Sequence, residues 1–334
     1  MRAVEESVRK RAGTPTSPDP AAEAIRAGRE ARLERARSMG RRKLASYRLQ
    51  YWLVRALVGL LRLLPVEVAS ALGGWIGRTF LPSRLDTETV TRTIRVAFPD
   101  AGEPWLHGII SEMSDNIVRV VTETAHLSAF AGAGNRRLRV LGEANIAAAR
   151  AGGRGVLFVM GHFANWEIAA IPLRNLGLDG VYSVMPPSNP HVFAWLARVR
   201  KSVGLSEQAN AGEGVYRAFR SALRDGRVAI VLADQRLING IRAPFFGRDV
   251  MTNVIPARLA RTLHVAVVPL AVRRVTGRAA HFEIEFMPPL EFDETGDIAA
   301  DEKRFTARIN RFYEAEISRA PGQWLWMDPR WDEY

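Results

Sequence analysis

The run Val156-Leu157-Phe158-Val159-Met160 most constrains the fold of this chain: five consecutive bulky apolar residues follow Gly155 and stop at another glycine. A strand wetted on one side alternates apolar and polar residues, so an uninterrupted apolar strand must be covered on both faces. Further strands are expected at 181–185, 228–233, 264–272 and 281–287, with helical patterns at 105–127, 143–151, 192–203, 213–224 and 253–263. Strands separated by helices predict an α/β fold, a mixed, largely parallel sheet flanked by helices. The chain of 334 residues is long enough for a substantial core. No internal repeat is visible. Gly132 and Gly134 lack the third glycine and following helix of a dinucleotide site, and neither a phosphate-binding loop nor a G-x-S-x-G elbow is present.

Three regions are expected: a basic, partly disordered arm over 1–46, a membrane-associating helical segment over 47–82, and a catalytic domain over 83–334. The arm contains Pro15, Pro18 and Pro20, then a basic run from Arg26 to Lys43, which reads as a disordered start leading into a basic helix. Its charged stretch is too long for a signal peptide, and no cleavage pattern follows an apolar core. The next segment is rich in Leu, Val, Ala, Trp and Gly but is broken by Arg55, Arg62, Glu67 and Arg78. That interruption leaves no uncharged run of the roughly 20 residues that span a bilayer. A single crossing would also place the basic arm opposite the catalytic domain, against the retention of Lys and Arg in the cytoplasm. An in-plane helix avoids the conflict: Trp52, Leu53, Leu57, Leu60, Leu61 and Leu64 would face acyl chains, and Arg48, Arg55 and Arg62 would meet anionic headgroups. A formal charge of +12 implies anionic partners. With the basic residues beside an apolar segment and no nucleic-acid module in evidence, an anionic membrane surface fits better than nucleic acid.

Chemistry is expected at Gly161-His162-Phe163-Ala164-Asn165-Trp166-Glu167, where the apolar strand passes into a helix running to about residue 176, because strand ends of α/β sheets are where sites form. On a continuous helix, residues five apart lie about 140° from each other, so His162 and Glu167 meet only if the chain turns between them. Asn165 is a candidate N-cap that would leave His162 in the loop and Glu167 in the first helical turn. A carboxylate accepting Nδ1–H would then leave Nε2 to deprotonate an alcohol. The chain has no cysteine, which removes disulfides and a thiolate nucleophile together. Without a serine elbow, direct attack of a substrate hydroxyl on a thioester is the simplest reaction, with backbone N–H groups near the helix start meeting the oxyanion. An arbitrary H-x4-E is ordinarily a satisfied loop histidine and a helix-dipole carboxylate. The six histidines are scattered without metal-ligand spacing, so no metal is expected.

The G-H-F-x-N-W-E stretch after an apolar strand resembles the H-x4-D/E signature of glycerolipid-type acyltransferases, in the form found in the bacterial lipid A late acyltransferases of lauroyl and myristoyl type. The similarity continues at Asn189-Pro190, Asp234-Gln235, Ala243-Pro244-Phe245-Phe246-Gly247 with Thr252, and Pro321-Gly322-Gln323-Trp324-Leu325-Trp326, covering about 50–334. It implies His162 as base, Glu167 as its partner, an acyl carrier protein thioester as donor with acyl-CoA the lesser choice, and no cofactor. It further implies a hydroxyl of a lipid A precursor as acceptor at the cytoplasmic face of the inner membrane. A phosphoinositide mannoside or other glycolipid acceptor, or a non-catalytic peripheral membrane protein, are the alternatives. Where the family commonly has Arg-Pro before Asn189, this chain has Met185-Pro186-Pro187, and Met327-Asp328-Pro329 replaces a common histidine motif. Arg198, Arg200 or Lys201 would stand in for the missing arginine. Asp234 and Gln235 suit acceptor binding or support of the histidine loop, and equally a cap or turn. Arg236, Arg242, Arg248 and Arg258 would hold phosphates or lie on solvated surface, and Phe245 and Phe246 would line an acyl groove or the core. Trp324 and Trp326 are expected to be structural.

Overall fold

The computed structural model describes residues 40–184, 187–204, 207–210, 213–328 and 330–331. Most of the N-terminal arm, with its expected disorder, lies outside them, as do Met185 and Pro186. Two helices open the described chain, α1 (Arg41–Leu61) and α2 (Val66–Phe80), followed by α3 (Thr87–Ala97) and α4 (Glu103–Thr124). The sheet is then laid down by β1 (Leu138–Leu141), β2 (Val156–Met160), β3 (Gly180–Val184), β4 (Glu207–Asn210), β5 (Val228–Leu232), β8 (Ala266–Arg274) and β9 (Phe282–Phe286). A separate hairpin, β6 (Arg236–Phe245) with β7 (Arg248–Thr252), intervenes. The remaining helices are α5 (Glu143–Arg150), α6 (Ile171–Asn175), α7 (Pro190–Ser202), α8 (Glu213–Arg224), α9 (Ile255–Leu263) and α10 (Ile298–Arg319).

The seven strands run in the order β1-β9-β8-β2-β5-β3-β4, parallel at every pairing except β8 with β9. The mixed, largely parallel sheet expected from the apolar runs is therefore the fold. Its centre explains the β2 run. Leu157 and Val159 enter one buried cluster with α3, α4, α8, α9 and α10, whereas Val156, Phe158 and Met160 enter a second cluster on the other face. Alternate side chains of a strand point to opposite faces, and here both faces are core. The edge strands β1 and β4, the β6–β7 hairpin and α10 were not expected. Edge strands carry polar residues that the core does not demand, so their pattern is weak.

The N-terminal segment is helical as expected, although α1 begins at Arg41 and runs through the boundary placed between residues 46 and 47. No helix among the described residues is long and apolar enough to cross a membrane. Trp52, Leu53, Leu57 and Leu60 are more than half exposed, and α2 likewise exposes Val68, Leu72, Trp75, Ile76 and Phe80. Four details differ from expectation. Leu61 and Leu64 pack inward in a small cluster with Val58, Ala69 and Trp195. The Arg55 guanidinium lies 5.9 Å from the Trp195 ring, and Arg62 Nε donates to the Ala125 carbonyl at 2.8 Å. Arg55 and Arg62 thus face the protein, because the seven-residue repeat that lines them up also aims them at α7 and the end of α4. Beneath, α2 lies against α4 through Gly73, Gly74 and Gly77: a Cβ on Gly77 would stand 2.2 Å from the Ser114 carbonyl oxygen. Only a glycine permits so close a helix contact.

Candidate active site

The parallel register builds the site. Met160 at the end of β2 lies opposite Leu232 at the end of β5, so the residues two further on, His162 and Asp234, leave the sheet side by side. The His162 backbone N–H donates to Asp234 Oδ2 at 2.8 Å, and its Nδ1 lies 2.9 Å from Oδ1. Trp324 Nε1–H donates to the same Oδ2 at 2.8 Å. Burial by itself raises the Asp234 carboxyl, but the His162 charge and the hydrogen bonds from His162 and Trp324 outweigh it and hold the group below its ordinary range. An ionised Asp234 accepts a hydrogen bond from Nδ1–H and leaves Nε2 as the basic nitrogen. Asp234 is 1% exposed while the His162 side chain is 17% exposed, so the imidazole opens onto the cavity it lines with its partner sealed behind it.

Glu167 does not orient the imidazole, which corrects the expectation. Its Oε2 accepts from Arg200 Nε at 2.7 Å, and Oε1 from an Arg200 terminal amine. Both side chains are nearly buried. A two-pronged guanidinium occupies the carboxylate edge that an imidazole would need, and the Nδ1 position belongs to Asp234. Glu167 nevertheless lines the same cavity as His162. Arg200, one of the substitutes considered for the missing arginine, is committed to this pair.

The turn between strand and helix is locked from behind. A Cβ on Gly161 would lie 2.5 Å from the Phe163 ring and 3.1 Å from Asp234 Oδ2. Ala164 sits at φ +45, its N–H donating to the Gln323 carbonyl at 2.8 Å and its carbonyl accepting from Asn116 Nδ2 at 3.1 Å. Asn165 caps the turn as expected, accepting from the Glu167 N–H at 3.1 Å, although what it starts is a single 3-10 turn over Trp166–Ile168 before α6. Its Nδ2 donates to Glu123 Oε2 at 2.9 Å. Glu123 is fully buried and receives Ser70 Oγ at 2.6 Å and Arg274 Nη2 at 3.1 Å. With both ends of its amide used and no exposed surface, Asn165 holds the turn and is not open to substrate.

The structure disperses several other expected substrate residues. Asn189 caps α7, accepting from His191 N–H at 3.0 Å, and donates to the Tyr47 carbonyl at 2.8 Å, which ties α7 to α1. Thr252 is buried and accepts from Arg330 at 2.8 Å. Phe246 packs among Phe98, Phe245 and Trp331, its N–H donating to Glu314 at 2.7 Å. Arg258 pairs with Glu302. These are packing and capping roles, whose residue types match those of binding sites in a linear sequence. Arg198, Arg236 and Arg248 are exposed, and only Arg236 adjoins the site in sequence. Gln235 lines the cavity, with no hydrogen bond from its side chain among the described residues. Asp328, which interrupts the expected histidine motif, is held above the ordinary carboxyl range by burial and then by the charge of Asp234.

The cavity, of about 340 Å³, is bordered by His162, Trp166, Glu167, Arg200 and Gln235 and floored by apolar residues of β2, β3 and β5. The Trp166 indole meets the His162 ring edge-on at 5.1 Å between centroids. An apolar slot opening beside a base suits a hydrocarbon chain whose reacting carbon stops at the imidazole. Among the described residues no group of three or more His, Asp or Glu side chains is placed to hold a metal.

A family model described as bacterial lipid A biosynthesis acyltransferase matches residues 38–333. The chain is 27% identical over 293 residues to the lipid A biosynthesis palmitoleoyltransferase of Escherichia coli, covering 84% of this chain and 91% of that protein. It is 25% identical over 297 residues to the lipid A biosynthesis lauroyltransferase of the same organism, covering 84% and 92%. A phosphatidylinositol mannoside acyltransferase of Mycobacterium tuberculosis is 26% identical over 189 residues, 55% of this chain and 57% of that protein.

Proposed function

The chain belongs to the bacterial lipid A biosynthesis acyltransferase family, and on that premise we propose that it transfers a fatty acyl group from an acyl carrier protein thioester to a hydroxyl of a lipid A precursor, with His162 as general base and Asp234 as its partner. The observation that carries the reading is the imidazole at the mouth of an apolar slot, its Nδ1 occupied by a buried carboxylate. Nε2 removes the proton of the acceptor hydroxyl as its oxygen bonds to the thioester carbon. The oxyanion then collapses to an ester, the carbon–sulfur bond breaks, and the imidazolium returns the proton to the departing thiolate. No covalent enzyme intermediate, cofactor or metal enters these steps. The backbone N–H groups of His162, Phe163, Ala164 and Glu167 already donate within the protein, so the Gln235 amide beside the imidazole is the donor assigned to the oxyanion.

The exposed apolar face of α1 and α2 and the basic arm before it support an in-plane attachment to the cytoplasmic face of the inner membrane, where a lipid acceptor resides. The acidic donor carrier would dock on the net positive surface. A second reading, acylation of a phosphoinositide mannoside or other glycolipid from acyl-CoA, is favoured by the mycobacterial relative and uses the same residues with a different acceptor pocket. Incubation of the purified full chain with acyl carrier and CoA thioesters and with each acceptor class, followed by product mass, separates the two. Absence of any acylated lipid with an active positive control would sink both, and product formation undiminished in His162→Ala would sink the mechanism.

A further inference from the structure

Tyr182 on β3 pairs with Ile230 on β5, which in turn lies opposite Phe158 on β2. Met160, the last residue of β2, stands two residues beyond that level, about 7 Å at about 3.3 Å per residue, and His162 follows it in the turn. The lining includes the apolar Met160, Val184 and Leu232 on the sheet side and the small residues Ala169 and Ala170, beside Ser183 and the Glu167–Arg200 pair. Tyr182 packs against the same cluster as Met160, Ile230, Ala169 and Ala170, and with Ile230 it stands at the lowest level of the register among the lining strand residues. Its hydroxyl makes no hydrogen bond among the described residues. Burial, then the Asp179 charge, raises its ionisation well above the ordinary tyrosine range, so the group stays a neutral hydroxyl.

We infer that Tyr182 sets the length of acyl chain this protein accepts, its ring forming the floor of the slot and its hydroxyl opposing a chain that reaches further. A methyl terminus pressed onto an unpartnered hydroxyl strips its water and returns no hydrogen bond, so a chain that stops short of the ring is preferred. The inference rests on acyl transfer for the catalytic readout. It has a second readout that does not.

The full chain and its Tyr182→Phe, Tyr182→Leu and Tyr182→Ala variants are compared with a ladder of saturated acyl carrier thioesters of increasing length, and separately for melting-temperature shift by free fatty acids of the same lengths. The Leu and Ala variants are expected to favour longer chains, the ratio of kcat/KM for long over short donors rising by about 10-fold or more. Tyr182→Phe should keep the cut-off near its original length while tolerating the longest accepted chain better. Should Tyr182→Ala fail to fold, Tyr182→Leu carries the same expectation. A folded Leu or Ala variant with an unchanged length profile overturns the inference and leaves acyl transfer standing. A fatty-acid optimum that moves with residue 182 in a protein that acylates no lipid supports the slot and removes the transfer reading. Absence of any fatty-acid shift in the unaltered chain, with no length preference in turnover, overturns the inference outright.

Discussion

At the scale of single residues, two carboxylates compete for the role of orienting one imidazole, and charge pairing separates them. Asp234 touches His162 twice, whereas Glu167 is taken by Arg200. Asp234→Asn should therefore favour the wrong imidazole tautomer and lower kcat by about 10²- to 10⁴-fold, with His162→Ala at least as severe. In Glu167→Gln, by contrast, the loss should appear first as reduced stability, because an Arg200 guanidinium is left nearly buried without its charge partner. Kinetics and denaturant midpoints on the three variants distinguish the roles, and equal stability of Glu167→Gln and the parent would contradict this assignment. Gln235→Ala should lower kcat by about 10²-fold with little change in KM if the amide meets the oxyanion. Stability should also depend on pH in a defined direction. The Asp234 carboxyl lies below its ordinary value of 3.8 in the folded state, so its contribution is complete above that value and is lost as pH falls through the lower folded one. Acid unfolding followed by circular dichroism should shift toward higher pH in Trp324→Phe, which removes one of the hydrogen bonds holding the group down.

At the scale of elements, the His162 turn is positioned from behind by groups that no local motif announces. Asn116 and Glu123 come from α4, Arg274 from the end of β8 and Gln323 from the turn after α10, and all converge on Ala164 and Asn165. Glu123 is fully buried, and Arg274 is its cationic partner. Arg274→Met should thus destabilise the fold by about 3–5 kcal/mol, since it strands that charge, and a chemical-denaturation midpoint unchanged from the parent would refute the account. The α2–α4 contact is equally specific. Gly77→Leu would drive a side chain into the Ser114 carbonyl, so a destabilisation of about 1–3 kcal/mol or more is expected from overpacking alone.

At the scale of the whole molecule, α7 joins the outer surface to the slot. It is fastened to α1 through Asn189 and the Arg55–Trp195 stack and to the cavity wall through Arg200 and Glu167. The exposed face of α1 and α2 should seat on anionic vesicles, and replacing Trp52 and Leu57 together by Glu should abolish co-sedimentation while leaving the melting temperature near that of the parent. Binding of the variant equal to that of the parent would reject the in-plane attachment. Much of this architecture was legible in the chain, because burial on two faces writes itself as an unbroken apolar run and burial on one face as a helical stripe. The strands at 155–160 and 228–233, the helix at 213–224 and the histidine turn are of that kind. Polar edge strands and the β6–β7 hairpin left no such signature. By itself the sequence determined the doubly covered sheet, the place of His162 at a strand end and the apolar outer face of the first helices, all of which follow from patterns a few residues long. Only the tertiary structure decided which acid holds that imidazole, which arginines face inward and how deep the slot runs. Each of those depends on the register between strands far apart in the chain, and a register is a distance in space that no spacing along the backbone encodes.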